Sequence, residues 1–169
     1  MNINKIITLE EAKKIKQSNK KKSLVLITGC FDVIHFGHID YFRFAKKQGD
    51  ILIVGIENDQ NIKIYKGSHR PIFNFLQRAK VLSELESIDY IFEITKVVTF
   101  NSNEADKSLL ETMEAVQPDV LISHNLKDET CGKKELLCQK AGVKLKVDKS
   151  NKTTSSTEII NHIQKYFKN

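Results

Sequence analysis

The chain has 169 residues, of which 40% are hydrophobic and 28% charged, a balance that suits one globular domain and excludes a disordered or fibrous chain. Its 27 basic against 21 acidic residues give a net charge of +6, which suits an anionic partner without choosing among phosphates, nucleic acid and a membrane surface. Cys30, Cys131 and Cys138 form no disulfide framework or zinc spacing, and no stretch reaches the roughly 18 apolar residues of a membrane span, so the expectation is a cytoplasmic protein with reduced thiols.

Thr8, with Glu11 three residues on, opens a short helix that carries Leu9, Ala12 and Ile15 on one face. It runs into Lys20-Lys21-Lys22, which reads as a solvated helix end because no aromatic residue interleaves it. Five β-type runs follow, at 24–28, 51–56, 90–94, 120–123 and 143–147, each near-continuously apolar as in strands buried on both faces. Helical stripes separate them: Ile39, Phe42 and Ala45; Phe75, Ala79 and Leu82; Leu109, Met113 and Val116, stopped by Pro118; and Leu136, Leu137 and Ala141 before Gly142.

This alternation predicts right-handed βαβ crossovers, hence an α/β fold: a Rossmann-like, doubly wound, five-stranded parallel sheet with helices on both faces. No repeat or linker divides it, so 1–169 reads as one domain with 1–22 as a helical lead-in. The polar stretch 99–106 reads as an inserted or mobile loop.

The first strand runs into Thr28-Gly29-Cys30-Phe31-Asp32, where glycine permits close backbone approach, and a helix starts near Gly37-His38. A helix N-terminus with two imidazoles beside it, His35 and His38, is a phosphate site in outline. A structural role for the histidines stays open, as does zinc held by His35, His38 and Asp40. Near the other end, Ser155, Ser156 and Thr157 begin the last helix, where hydroxyls can cap the helix or bind an anion.

Gly29-x-Phe31-Asp32 followed by His35-x-Gly37-His38 resembles the signature of the H-x-G-H nucleotidyltransferases, which move a nucleotidyl group from a nucleoside triphosphate to a phosphorylated acceptor. The resemblance extends over 49–67, 70–92, 117–122 and 154–160. It implies that His35 and His38 hold the triphosphate and favour the transition state, with Lys66 as a catalytic phosphate contact. Thr28, Gly29, Cys30, Phe31, Asp32, Gly37, Arg78, Ser155, Ser156 and Thr157 would bind the nucleotide, and Asp59 would take part in recognition. It further implies Mg²⁺ as cofactor, no nucleic-acid or membrane partner, and pairing as a homodimer.

Cys30, the Lys66-to-Ile72 arrangement and 78–92 are similar to the sugar-phosphate adenylyltransferases that make ADP-heptose, favouring ATP and an acceptor such as heptose 1-phosphate. Glycerol-phosphate cytidylyltransferases, the alternative, usually carry threonine at the Cys30 position, arginine at Glu86 and arginine shortly before the last helix. Heptose enzymes generally continue from the fourth strand into a Val-Lys-Gly-Gly-Asp-like segment. Here the chain reads Ser123-His124-Asn125-Leu126-Lys127-Asp128, which makes His124 a candidate recognition residue. A second alternative is a nucleotide-binding module without catalysis.

Overall fold

The computed structural model describes residues 5–99, 101–124, 128–150 and 154–167, for 128–131 the backbone course alone. In chain order the elements are α1 (Leu9–Ser18), β1 (Leu24–Gly29), α2 (Phe36–Lys46), β2 (Ile51–Glu57), α3 (Asp59–Lys66) and α4 (Phe75–Ser83). Then come β3 (Tyr90–Ile94), α5 (Asn103–Val116), β4 (Val120–His124), α6 (Asp128–Ala141), β5 (Lys144–Asp148) and α7 (Ser156–Tyr166). The strands form one sheet in the order β3-β2-β1-β4-β5, all parallel. The order reverses between β1 and β4, and ligands of such sheets bind beyond the carboxyl ends at that reversal.

Two apolar layers sandwich the sheet. On one side Val25, Ile27, Leu52 and Val54 pack against Phe42 and Ala45 of α2 and against Ala79 and Leu82 of α4. On the other, Leu24, Leu26 and Ile53 meet Ala12 of α1, Met113 and Val116 of α5 and Cys138 of α6. Because β1 and β2 are covered on both faces, their sequences are continuously apolar rather than alternating. The fifth strand departs from that expectation. It has β4 as its only neighbour among the described strands, and its residues 144–147 stay exposed or half-buried, so Lys144 and Lys146 are tolerated.

Three further segments are more structured than their sequence patterns convey. The stretch after the second strand is helix α3, started by Asn58, whose side chain accepts from Asn61 N–H, and held by the wholly buried Ile62. The loop expected over 99–106 ends sooner: Ser102 caps Ala105 N–H and α5 begins at Asn103, while residue 100 lies outside the described residues. The helix expected in the lead-in is present as α1, and the segment packs on the core. Residues 5–7 pair alongside β3, through Ile7 N–H to Ile91 O and Ile91 N–H to Lys5 O, covering that sheet edge. Helix α1 is locked by the Thr8–Glu11 capping box and buries Ala12 completely.

Asp119, just before β4, ties α1 to the sheet by accepting from Lys16 Nζ and from Leu24 N–H. Partial burial raises its pKa, but these two donors outweigh that and hold the carboxyl below its ordinary range. A carboxylate depressed in the folded state stabilises the fold above its unfolded pKa, about 3.9, and loses that contribution as pH falls through the folded value. Asp119→Asn is therefore expected to be less stable than the parent in urea at pH 7, with the gap narrowing towards pH 3. A gap independent of pH would contradict this role.

Candidate active site

Beyond the carboxyl ends of the strands lies a cleft of about 1080 Å³. Its floor is the turn after β1. Phe31 there adopts a left-handed backbone, φ +47°, which is costly for an aromatic residue and persists only where packing enforces it. Its ring folds back over Gly29, where an added Cβ would lie 2.9 Å from the ring. The same ring packs against Phe42 at 5.0 Å and meets His38 edge-on at 5.6 Å. Glycine at 29 thus makes room for Phe31, and Phe31 seats His38.

His35 is the N-cap of α2, with extended backbone and no capping hydrogen bond from its side chain. The N-terminal end of α2, the positive end of its dipole, borders the cleft at Gly37. The rings of His35 and His38 stack at 3.8 Å between centroids, one helical turn apart, and both line the cleft with Gly37. Across from them starts α7, where Ser155 caps Glu158 N–H and Ser156 Oγ donates to Val33 O at 2.8 Å. That bond joins two segments 123 residues apart, so two helix N-termini converge on one space. Thr28, Cys30, Lys66, Thr157 and His124 line the same cleft.

Other expected site residues have different positions. Asp32 borders the cleft but is nearly wholly buried. It accepts from Arg70 Nε at 2.7 Å, Ile72 N–H at 2.9 Å and Phe73 N–H at 2.9 Å, and it forms a buried ion pair with Arg70. It anchors the 70–73 segment. Arg78, expected at phosphate, is not among the cleft residues: its guanidinium is fully buried. It donates to Phe73 O, Cys30 O, Glu57 O and Asp59 Oδ1, at 2.6–3.0 Å. Asp59, its ion-pair partner, is likewise outside the cleft lining. The pair clamps the turns after β1 and β2 together.

The cleft also holds residues that sequence reasoning missed. Lys134 of α6 donates to Ser123 Oγ at the end of β4, at 2.8 Å, beside His124, whose Nδ1 lies 3.4 Å from Asp148. The apolar stripe of α6 hides Lys134 among polar positions, and only the α6–β4 packing reveals it. Glu57 and Tyr65 line the opposite arm, where Tyr65 Oη lies 2.9 Å from Cys30 Sγ. Desolvation raises the Glu57 carboxyl above its ordinary range. Desolvation, followed by the neighbouring Cys30 and Glu57, holds the Tyr65 phenol strongly upward. Asn125, Leu126 and Lys127 lie outside the described residues.

A Rossmann-like sheet whose switch-point cleft is framed by two helix N-termini, paired imidazoles and lysines defines the class: a nucleotide-phosphate-binding α/β domain. The family model described as cytidylyltransferase-like matches residues 26–162. The chain belongs to that family, a family of nucleotidyltransferases. The bifunctional protein HldE of Campylobacter fetus is 38% identical over 118 residues, covering 70% of this chain and 23% of that protein. The HldE protein of Aliarcobacter butzleri is 35% identical over 161 residues, covering 94% of this chain. The chain spans only about a quarter to a third of these relatives, 23% and 31% respectively.

Among solved structures, a lipopolysaccharide core biosynthesis protein from Thermoplasma volcanium superposes with a TM-score of 0.59 at 26% identity, covering 77% of this chain and 99% of that one. A pantoate-beta-alanine ligase from Francisella tularensis, complexed with beta-gamma ATP and beta-alanine, has a TM-score of 0.64 at 16% identity. It covers 97% of this chain and 79% of that one, and shares the fold.

Proposed function

We propose that the chain transfers a nucleoside monophosphate from a nucleoside triphosphate, ATP in preference to CTP, to a sugar phosphate such as heptose 1-phosphate, releasing pyrophosphate. The observation that carries this reading is the convergence of the α2 and α7 N-termini, through the Ser156–Val33 bond, around the stacked His35–His38 pair. Direct transfer between two phosphates needs no covalent enzyme intermediate. What is built is a set of donors for phosphate oxygens.

An oxygen of the acceptor phosphate attacks the α-phosphorus in line, the bond to the bridging oxygen breaks, and pyrophosphate departs with the electron pair. The chain's part is positioning and charge stabilisation. His35 and His38 donate to the triphosphate from the end of α2, the opening amides of α7 with Thr157 hold its other side, and Lys66 and Lys134 supply mobile positive charge. Phe31 keeps His38 from swinging away, and Arg78 fixes the Cys30 carbonyl beneath it.

Magnesium fits this donor set as an ion held chiefly by phosphate oxygens and water, since it needs few protein ligands. Asp32, of the cleft carboxylates, is committed to Arg70, leaving Asp40 as the one closest in sequence to the histidines. When bound, the ion would neutralise charge on the departing pyrophosphate.

HldE relatives at 38% and 35% identity support the adenylyl, heptose-directed reading, as does cysteine at position 30. The test is pyrophosphate release with Mg²⁺ across ATP, CTP, GTP and UTP, each against heptose 1-phosphate, glycerol 3-phosphate and other sugar phosphates. Turnover is expected with ATP and a sugar phosphate. CTP with glycerol 3-phosphate as the best pair would replace the adenylyl reading by the cytidylyl one. Binding of ATP without turnover on any acceptor would make the chain a nucleotide-binding module.

A further inference from the structure

The cleft contains a carboxylate for which the transfer chemistry has no use. Glu57 closes β2 and lines the cleft. Its Oε2 accepts from Asn61 Nδ2 at 2.9 Å, and Asn61, itself wholly buried, donates to Lys96 O at 2.9 Å and accepts from Val98 N–H at 2.8 Å. The main chain is held as firmly, since Glu57 O accepts from the buried Arg78 guanidinium at 2.8 Å. Both ends of the residue are thus locked before any ligand arrives.

Such placement is costly. Among the described residues Glu57 makes no salt bridge, and the Arg78 donors are taken by carbonyls and Asp59. An ionised carboxylate offers about four acceptor positions, and Asn61 fills one of them. A rigid, desolvated carboxylate at the wall of a cleft is matched to donors brought by a ligand. Tyr65 and Cys30 stand on the same wall, Tyr65 Oη within 2.9 Å of Cys30 Sγ and close enough to Glu57 to feel its charge. This wall is built from the carboxyl ends of β1 and β2 and from α3, and its residues Glu57, Tyr65 and Cys30 include none of β4, β5 or α7.

We infer that the Glu57–Tyr65 wall is the subsite for the hydroxyl-bearing part of the acceptor, with Glu57 accepting hydrogen bonds from its hydroxyls. This rests on the nucleotidyl-transfer reading and assigns the acceptor's orientation within it. A carboxylate is an acceptor only, so it repels the acceptor's phosphate and attracts its hydroxyl donors. The phosphate is thereby turned towards Lys66 and the histidines, and the polyol towards Glu57. An acceptor lacking those hydroxyls leaves the half-buried carboxylate unanswered, which is how such a site rejects it.

The test is steady-state pyrophosphate release by the parent chain, Glu57→Gln and Tyr65→Phe, using the sugar phosphate of the panel above with the highest kcat/KM. Acceptor and ATP are titrated separately. Glutamine keeps the size and the Asn61 contact, and equal melting temperatures check the fold. In Glu57→Gln the KM for the sugar phosphate is expected to rise about tenfold or more, the loss of hydrogen bonds to a charged group. Its kcat and its KM for ATP are expected to stay within about twofold of the parent. Tyr65→Phe is expected to shift the same KM by a smaller factor. An unchanged acceptor KM in Glu57→Gln, or an equal rise in the KM for ATP, overturns this inference alone. A parent chain that turns over no sugar phosphate overturns the functional reading and this inference with it.

Discussion

His38→Asn is expected to fold as the parent does and to lose about 10²–10³ in kcat, the cost of removing one well-aimed donor to a charged transition state, ~2.7–4 kcal/mol. The reason is geometric. His38 lies one turn into α2, stacked on His35 at 3.8 Å and braced edge-on by Phe31 at 5.6 Å, so its position is set before a ligand binds. Asparagine is polar and shorter, and cannot reach the same point from the same backbone. Single-turnover pyrophosphate release, with ATP binding measured in parallel, separates the step affected. A kcat within about threefold of the parent would remove His38 from the chemistry and leave it a packing residue against Phe31.

Asp32→Ala is expected to destabilise the protein by about 3–5 kcal/mol, because removing one partner of a buried ion pair leaves the other charge uncompensated. Arg70 is left with its guanidinium almost wholly buried, and the Ile72 and Phe73 amides lose their acceptor as well. Against a typical total of about 5–15 kcal/mol this is a large fraction, equivalent to a fall in melting temperature of roughly 10 °C or more. Urea unfolding of the variant, beside a double variant with Arg70→Met, isolates the cause. If the charge left on Arg70 is responsible, the double variant recovers part of the loss. A loss below about 1 kcal/mol in Asp32→Ala would show that the pair is not a fastening of the 70–73 segment.

That role for Asp32 marks where linear reading stops. The Gly29-to-His38 motif named the residues at the head of the cleft. It could not divide them into those that face the ligand and those that hold the others, because that division depends on partners about 40 residues away: Arg70 for Asp32 and Arg78 for Cys30 O. A buried arginine and a solvated one look alike in the pattern of α4. Its burial appears only when α4 packs under the ends of β1 and β2. Glu57, Tyr65 and Lys134 escaped notice for the same reason, each being an ordinary polar residue at the edge of an apolar stripe.

By itself the sequence determined the alternation of strand and helix, the parallel sheet, the helix cap at Thr8 and the start of a helix beside His35 and His38. These follow from local periodicity, capping chemistry and residue type, which act over a few residues and leave a mark in the string. The tertiary structure alone decided that residues 5–7 guard the edge of β3, that β5 tolerates lysines as an edge strand, and that the start of α7 closes on the loop before α2. It also set Arg78 inside and Glu57 at the cleft wall. Those outcomes come from burial and hydrogen bonding between segments tens to more than a hundred residues apart, where the energy of a contact depends on which surfaces the folded sheet brings together.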